Sequence, residues 1–327
     1  MNRSLGMVSL AAAILVSAPA TPAEPTSRLA PIPSPVSIDL DDAVWFSTGE
    51  DYLVTPTAID ADEIAQAMIT ARHCFSRRFN AAAPPGAVMT TGAVGLFEAL
   101  PEDRRGWVLP WNFDRSGASR EAGSHEQSKA EAASSIQHEL GHLFLLHALL
   151  PNVNKPQYGG DAPDWLDEAA GVALESPSSR ADRRRRFAAL VDDGRLTPFS
   201  TFVSQAHPVF ASQRLQAEVA SARAASPDQP IVLEFTLAEL GLTSTSADDF
   251  YAQTSAVIDF LDSLEKPDAL GLIARDIQQS GAPLGWIARL GADVGMATSE
   301  DWDRRFEAWS SDADDAPSPN DCRSSPL

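Results

Sequence analysis

His138-Glu139-Leu140-Gly141-His142 is the stretch whose reading decides the fold. These five residues form an H-E-x-x-H pattern inside an Ala-, Leu- and Phe-rich run, 132–150. That run reads as a core helix closed by Pro151, with Ser134 or Ser135 near its start. At about 3.6 residues per turn, positions 138 and 142 share one helix face, a turn apart. Two imidazoles so placed can hold one Zn²⁺ at about 2.0–2.1 Å each. Glu139 then stands beside the open coordination position, where it can take a proton from water. The competing reading, two buried histidines of an amphipathic helix, leaves two imidazoles and a carboxylate on an apolar face without partners, which is costly. His147 lies about 140° around the helix from His142 and reads as a structural histidine pointing away.

A catalytic zinc site usually takes three protein ligands and keeps one position open. The next acidic cluster is Asp164-Trp165-Leu166-Asp167-Glu168-Ala169-Ala170-Gly171, between Pro163 and Pro177. It reads as a second helix. By periodicity Asp164, Asp167 and Glu168 are all candidate ligands, and a solvated acidic helix start would use the same residues. Here the chain resembles the gluzincin metallopeptidases, thermolysin-like enzymes and zinc aminopeptidases among them. These carry H-E-x-x-H on one helix and a ligand Glu on a second, often within W-L-x-E-[GA]-x-[AG]. Trp165 to Gly171 fits that pattern, with Glu168 at the ligand position. Ala169 stands where many relatives have Gly, and Asp167 where Asn often precedes the ligand. The resemblance implies His138, His142 and Glu168 as Zn²⁺ ligands and Glu139 as general base. It also implies a Tyr or His from a later helix as donor to the developing oxyanion. Tyr251, at the head of 251–261, resembles the tyrosine of such a helix, with Ser246 and Asp249 forming a capping-box-like start. A core aromatic is the other reading of Tyr251. Tyr158, in a Gly-rich loop, and His207 are the remaining candidates.

The expected fold class is α+β: a small mixed α/β lobe, about 37–123, and a mainly helical zincin-like catalytic lobe, about 124–311. Strands are expected at 44–46, 52–54, 87–91 and 106–111, and a helix at 60–79 with Ile64, Met68, Ala71 and Phe75 on one face. The resemblance implies that a sheet edge lines the substrate cleft, and 107–111 is the candidate. The polar stretch 114–123 reads as a loop near it. Further helices are expected at 181–191, 211–224, 248–264, 268–279, 284–290 and 300–309, with Trp286, Trp302 and Trp309 as packing residues. The Asp/Pro/Ser-rich stretch 312–327 reads as a disordered tail. No internal repeat stands out.

Residues 1–23 read as a secretory signal: Arg3, an apolar run from Leu5 to Val16, then Ala18-Pro19-Ala20 as a cleavage site. Residues 24–36 read as a Pro/Ser-rich linker. The apolar run is too short to span a membrane. An exported, periplasmic or secreted chain is expected, about 300 residues long after cleavage and large enough for a substantial core. Cys74 and Cys322 are the only two cysteines. They either pair in an oxidising compartment or remain as two free thiols. With 45 acidic and 25 basic residues the net charge is −20, which argues against nucleic acid and anionic membranes as partners. The basic run 183–186 reads as a solvated helix face. The function expected is zinc-dependent hydrolysis of a peptide or protein substrate. The alternatives are a non-catalytic exported binding protein on the same scaffold and a zinc hydrolase of a non-peptide amide.

Overall fold

Short β-branched and aromatic runs build a sheet, and longer runs with a 3.6-residue apolar period build helices around it. The computed structural model of the chain describes residues 31–32, 44–55, 61–90, 100, 107–111, 125–151, 162–209, 211–225, 239–240, 244–266, 268–312, 318 and 320–322. The expected leader 1–23, the loop 114–123 and Tyr158 lie outside the described residues. The stretch 24–36, expected as a linker, is described only at 31–32. There the Ile32 amide donates to the Trp45 carbonyl at 2.8 Å, an isolated bridge.

Strands β1 (Val44–Ser47), β2 (Tyr52–Thr55), β3 (Ala87–Met89) and β4 (Val108–Pro110) form one sheet in that spatial order. β1 and β2 pair antiparallel, and β2–β3 and β3–β4 pair parallel. The order puts β4 at an edge of the sheet, where 107–111 was expected. Helix α1 (Ala61–Phe79) connects β2 to β3 and buries Ile64, Met68, Ala71 and Phe75, the face its periodicity predicts.

The helices that follow are α2 (His125–Phe144), α3 (Asp164–Leu174), α4 (Pro177–Asp192), the short α5 (Phe199–Phe202), α6 (Gln213–Ala225), α7 (Ser244–Ser263), α8 (Ala269–Ser280), α9 (Gly285–Val294) and α10 (Ser299–Asp312). The described residues thus form an α+β arrangement with a small mixed sheet. Helix α2 starts well before the expected Ser134 or Ser135. Instead of capping it, Ser134 sits inside the helix and accepts from the Ser176 amide at 3.0 Å, tying α2 to the α3–α4 junction. After Phe144 the helix loosens into a π turn, Leu145–Leu149, closed by the Leu150 amide on the Leu145 carbonyl at 3.1 Å. His147 lies on this turn, exposed.

Helix α2 is wedged between its neighbours. Phe144 meets Phe75 of α1 at 5.4 Å and Trp107 at 5.5 Å, edge to face. Such pairs add about 0.5–1.5 kcal/mol beyond their buried area. On the other side α2 packs against α3 at backbone distance. A Cβ on Gly141 would lie 2.3 Å from the Ala170 carbonyl oxygen, so only glycine permits this approach. Helix α3 is propped from behind by Trp165, whose ring lies 5.7 Å from that of Trp286. Trp286 in turn contacts Trp302 at 5.5 Å, and Phe199 stacks on Trp302 at 5.0 Å. Trp309 stacks on Phe306 at 5.7 Å, so Trp286, Trp302 and Trp309 are all packing residues.

Two expectations are corrected here. The run 183–186 is no solvated face, because successive residues step about 100° around α4 and reach different partners. Arg183 pairs with Glu175, Arg184 with Asp259 and Asp321, and Arg186 with Asp249; Arg185 is exposed beside Asp182. Asp249 meets Arg186 and also Arg195, and Ser246 lies inside α7, which starts at Ser244, rather than at its cap. The tail from 312 is also anchored where it is described. Cys322 is joined to Cys74 of α1 in a disulfide, and buried Asp321 accepts from Arg184 at 2.6 and 2.9 Å. One cysteine and one carboxylate supply the tertiary anchors that a polar, Pro-rich composition hides.

Candidate metal centre

The turn spacing of α2 brings the His138 and His142 rings together, with Nε2 atoms 3.1 Å apart. From α3, Oε2 of Glu168 comes to 3.4 Å from His138 Nε2 and 3.7 Å from His142 Nε2. Three donor atoms from two helices thus face one common point. Among the described residues this is the group of His, Cys, Asp and Glu side chains able to hold a metal. His142 and Glu168 are buried. Glu168 Oε2 has no hydrogen-bond partner among the described residues, a costly state for a buried carboxylate oxygen unless a cation meets it. Protons on both Nε2 atoms would repel one another across 3.1 Å, whereas one cation between them meets both nitrogens.

The far side of each imidazole is held by a carboxylate. His142 Nδ1 lies 2.9 Å from Asp167 Oδ1, and His138 Nδ1 lies 2.9 Å from Glu175 Oε1. Such partners fix ring orientation and tautomer and turn Nε2 toward a metal. Glu175 is held in turn by Arg183, whose Nε donates to Oε2 at 2.6 Å and whose Nη2 reaches Oε1. Gly171 completes the seat: a Cβ there would lie 2.7–2.8 Å from three atoms of the His138 ring.

The electrostatics favour positive charge at this point. Burial disfavours a charged His138, but Glu168 and Glu175 overcome it and push its pKa up to about 10. For His142 burial is likewise outweighed, mainly by Asp167, and the pKa rises to about 9. Burial would lift Glu175, yet the Arg183 guanidinium holds it down at about 2. Glu168 also stays ionised against burial, through the histidines it faces.

The chain matches no known protein family, curated protein or solved structure.

Of the three acidic candidates on α3, only Glu168 faces the histidines' Nε2 atoms. Asp167 serves as the partner of His142, and Asp164 accepts the His207 amide at 2.7 Å. Glu139 follows His138 on α2, and its charge acts on Tyr251. The Tyr251 ring lies 5.9 Å from that of His138 and 5.4 Å from that of His207. His207 Nε2 stands 4.0 Å from Glu168 Oε1. Both donor candidates thus come to the centre. Burial, reinforced by the Glu168 charge, raises the Tyr251 hydroxyl well above its ordinary pKa, so it remains a proton donor. Burial lowers His207. Sequence reasoning missed Glu175 and Arg183. Glu175 follows the last residue of α3 and Arg183 lies on the next helix, so no local pattern pointed to either.

Proposed function

We propose that this chain is an exported zinc metallopeptidase of gluzincin type, with His138, His142 and Glu168 as zinc ligands. The observation that carries the reading is the convergence of two imidazole nitrogens and one carboxylate oxygen at 3.1–3.7 Å, that oxygen making no hydrogen bond among the described residues. Ligand atoms about 2.1 Å from a tetrahedral ion lie about 3.4 Å from each other, so the spacing suits zinc, as does the two-nitrogen, one-oxygen donor set. Among the described residues the group offers three donors, and three protein ligands suit a catalytic rather than a closed structural site.

Zinc held there would supply Lewis acidity, lowering the pKa of a coordinated water toward about 7 and polarising the scissile carbonyl. Glu139 takes one proton from the attacking water as its oxygen bonds to the carbonyl carbon, then gives that proton to the amine nitrogen as the C–N bond breaks. Tyr251 donates its hydroxyl hydrogen bond to the carbonyl oxygen as charge develops there. Asp167 and Glu175 hold the ligand rings while this happens. The Cys74–Cys322 disulfide supports the export reading, since such bonds persist in oxidising compartments. No helix among the described residues is long and apolar enough to cross a membrane.

Glu139→Gln separates binding from chemistry. It is expected to keep zinc and to lose casein cleavage by at least about 100-fold, the usual worth of a general base. A variant that cleaves like wild type would overturn the assignment.

A further inference from the structure

The two halves of the centre, the ligand His138 and the donor Tyr251, are joined through one residue outside both. Arg183 grips Glu175 with Nε and Nη2, and Glu175 Oε1 is the atom that meets His138 Nδ1. The same guanidinium lies over the Tyr251 ring, its Cζ 4.7 Å from the centroid. Tyr251 in turn meets the His138 ring edge to face. The four side chains, from α2, the end of α3, α4 and α7, close a ring.

We propose that Arg183 is a positioning residue that sets Tyr251 and the His138 imidazole in register with each other. A guanidinium forked onto a carboxylate has fixed orientation, so its flat face offers the Tyr251 ring a defined cation–π seat. The helix that carries it is itself fixed. Arg180 of α4 donates to Ser255 Oγ at 2.6 Å and to Asp259 Oδ1 at 2.6 Å, and Arg184 holds Asp259 as well. Tyr251, Ser255 and Asp259 follow one another at four-residue intervals, so one face of α7 is read by the arginines of α4. Arg180 and Arg184 are buried in these pairs, and since buried ion pairs add little stability, orientation is the use we assign them.

The role given to Tyr251 rests on the metallopeptidase reading; the link to His138 needs only the metal. The test uses full-length wild type, Arg183→Gln, Arg183→Lys, Tyr251→Phe and the Arg183→Gln/Tyr251→Phe pair. Zinc affinity is measured by chelator competition, and kcat and KM on labelled casein at saturating zinc. Arg183→Gln is expected to weaken zinc binding about tenfold or more through Glu175, with Arg183→Lys recovering part, while Tyr251→Phe leaves zinc binding within about twofold. At saturating zinc, Arg183→Gln should lower kcat about tenfold with KM little changed, and should cost little more once Tyr251 is Phe. Unchanged zinc affinity in Arg183→Gln would overturn the inference. So would additive losses in the pair, or a raised KM at constant kcat, which would make Arg183 a substrate contact. Wild type that binds no zinc overturns this inference and the metallopeptidase reading together. Wild type that binds zinc without cleaving overturns the peptidase reading, and the affinity comparison still decides the His138 link.

Discussion

The Gly171 backbone lies against the His138 imidazole so closely that a Cβ at 171 would stand 2.7 Å from ring Cε1 and 2.8 Å from Nδ1 and Nε2. The ring is also tethered at Nδ1 by Glu175 at 2.9 Å, so any retreat from a Cβ would strain that contact.

Gly171→Ala should therefore displace the ring and weaken zinc binding by about tenfold or more, the scale of second-shell losses. Alanine favours a helix interior over glycine by about 1 kcal/mol, so global stability should change much less than metal affinity. Chelator competition and denaturant unfolding of the same variant check both halves. Zinc affinity equal to wild type would contradict the placement of His138.

Asp167→Ala leaves His142 Nδ1 without its carboxylate and should lower zinc affinity about 10–100-fold. Asp167→Asn retains a hydrogen-bonding group and should lose less. A zinc titration of the two variants gives the order, and equal affinities for Ala and wild type would remove the orienting role.

Protons and metal compete for the two Nε2 atoms. With His138 raised to about 10 and His142 to about 9, protons remain competitors well above the ordinary imidazole range. Apparent zinc affinity should thus keep rising with pH from 6 to about 9, by about tenfold per unit for each proton displaced. Dissociation constants measured at several pH values in a non-coordinating buffer check this. A plateau at pH 7 would mean the carboxylates do not load the imidazoles as described.

Cys74–Cys322 and the Arg184–Asp321 pair fasten the end of the chain onto α1 and α4. Cys322→Ser should cost about 2–4 kcal/mol in denaturant unfolding, and reduced wild type should unfold with the variant. Equal stability of oxidised and reduced wild type would refute the anchoring role.

The meeting of His138 and His142 was legible because the two histidines stand one turn apart on an apolar helix. The place of Glu168 beside them was singled out only through resemblance, since Asp164, Asp167 and Glu168 are equally acidic and only tertiary packing decides which one faces the Nε2 atoms. The strands at 44–46 and 52–54 and the α1 face were readable from period and residue type. What stayed hidden depends on residues meeting across elements. Glu175 sits past the end of α3, and Arg183 lies beyond the helix break at Pro177, so no local pattern joins them to His138. Four consecutive arginines look solvated in one dimension, yet in a helix they aim in different directions. The extra length of α2 was hidden because its first residues are polar and its serines resembled caps.

The most direct measurement is zinc content of purified wild type, His142→Ala and Glu168→Ala, by elemental analysis after removal of loosely bound metal. The account predicts about one zinc per wild-type chain and sharply less in both variants, each still folded by circular dichroism. A folded wild-type protein that binds no zinc, or variants that keep it fully, would contradict the metal centre.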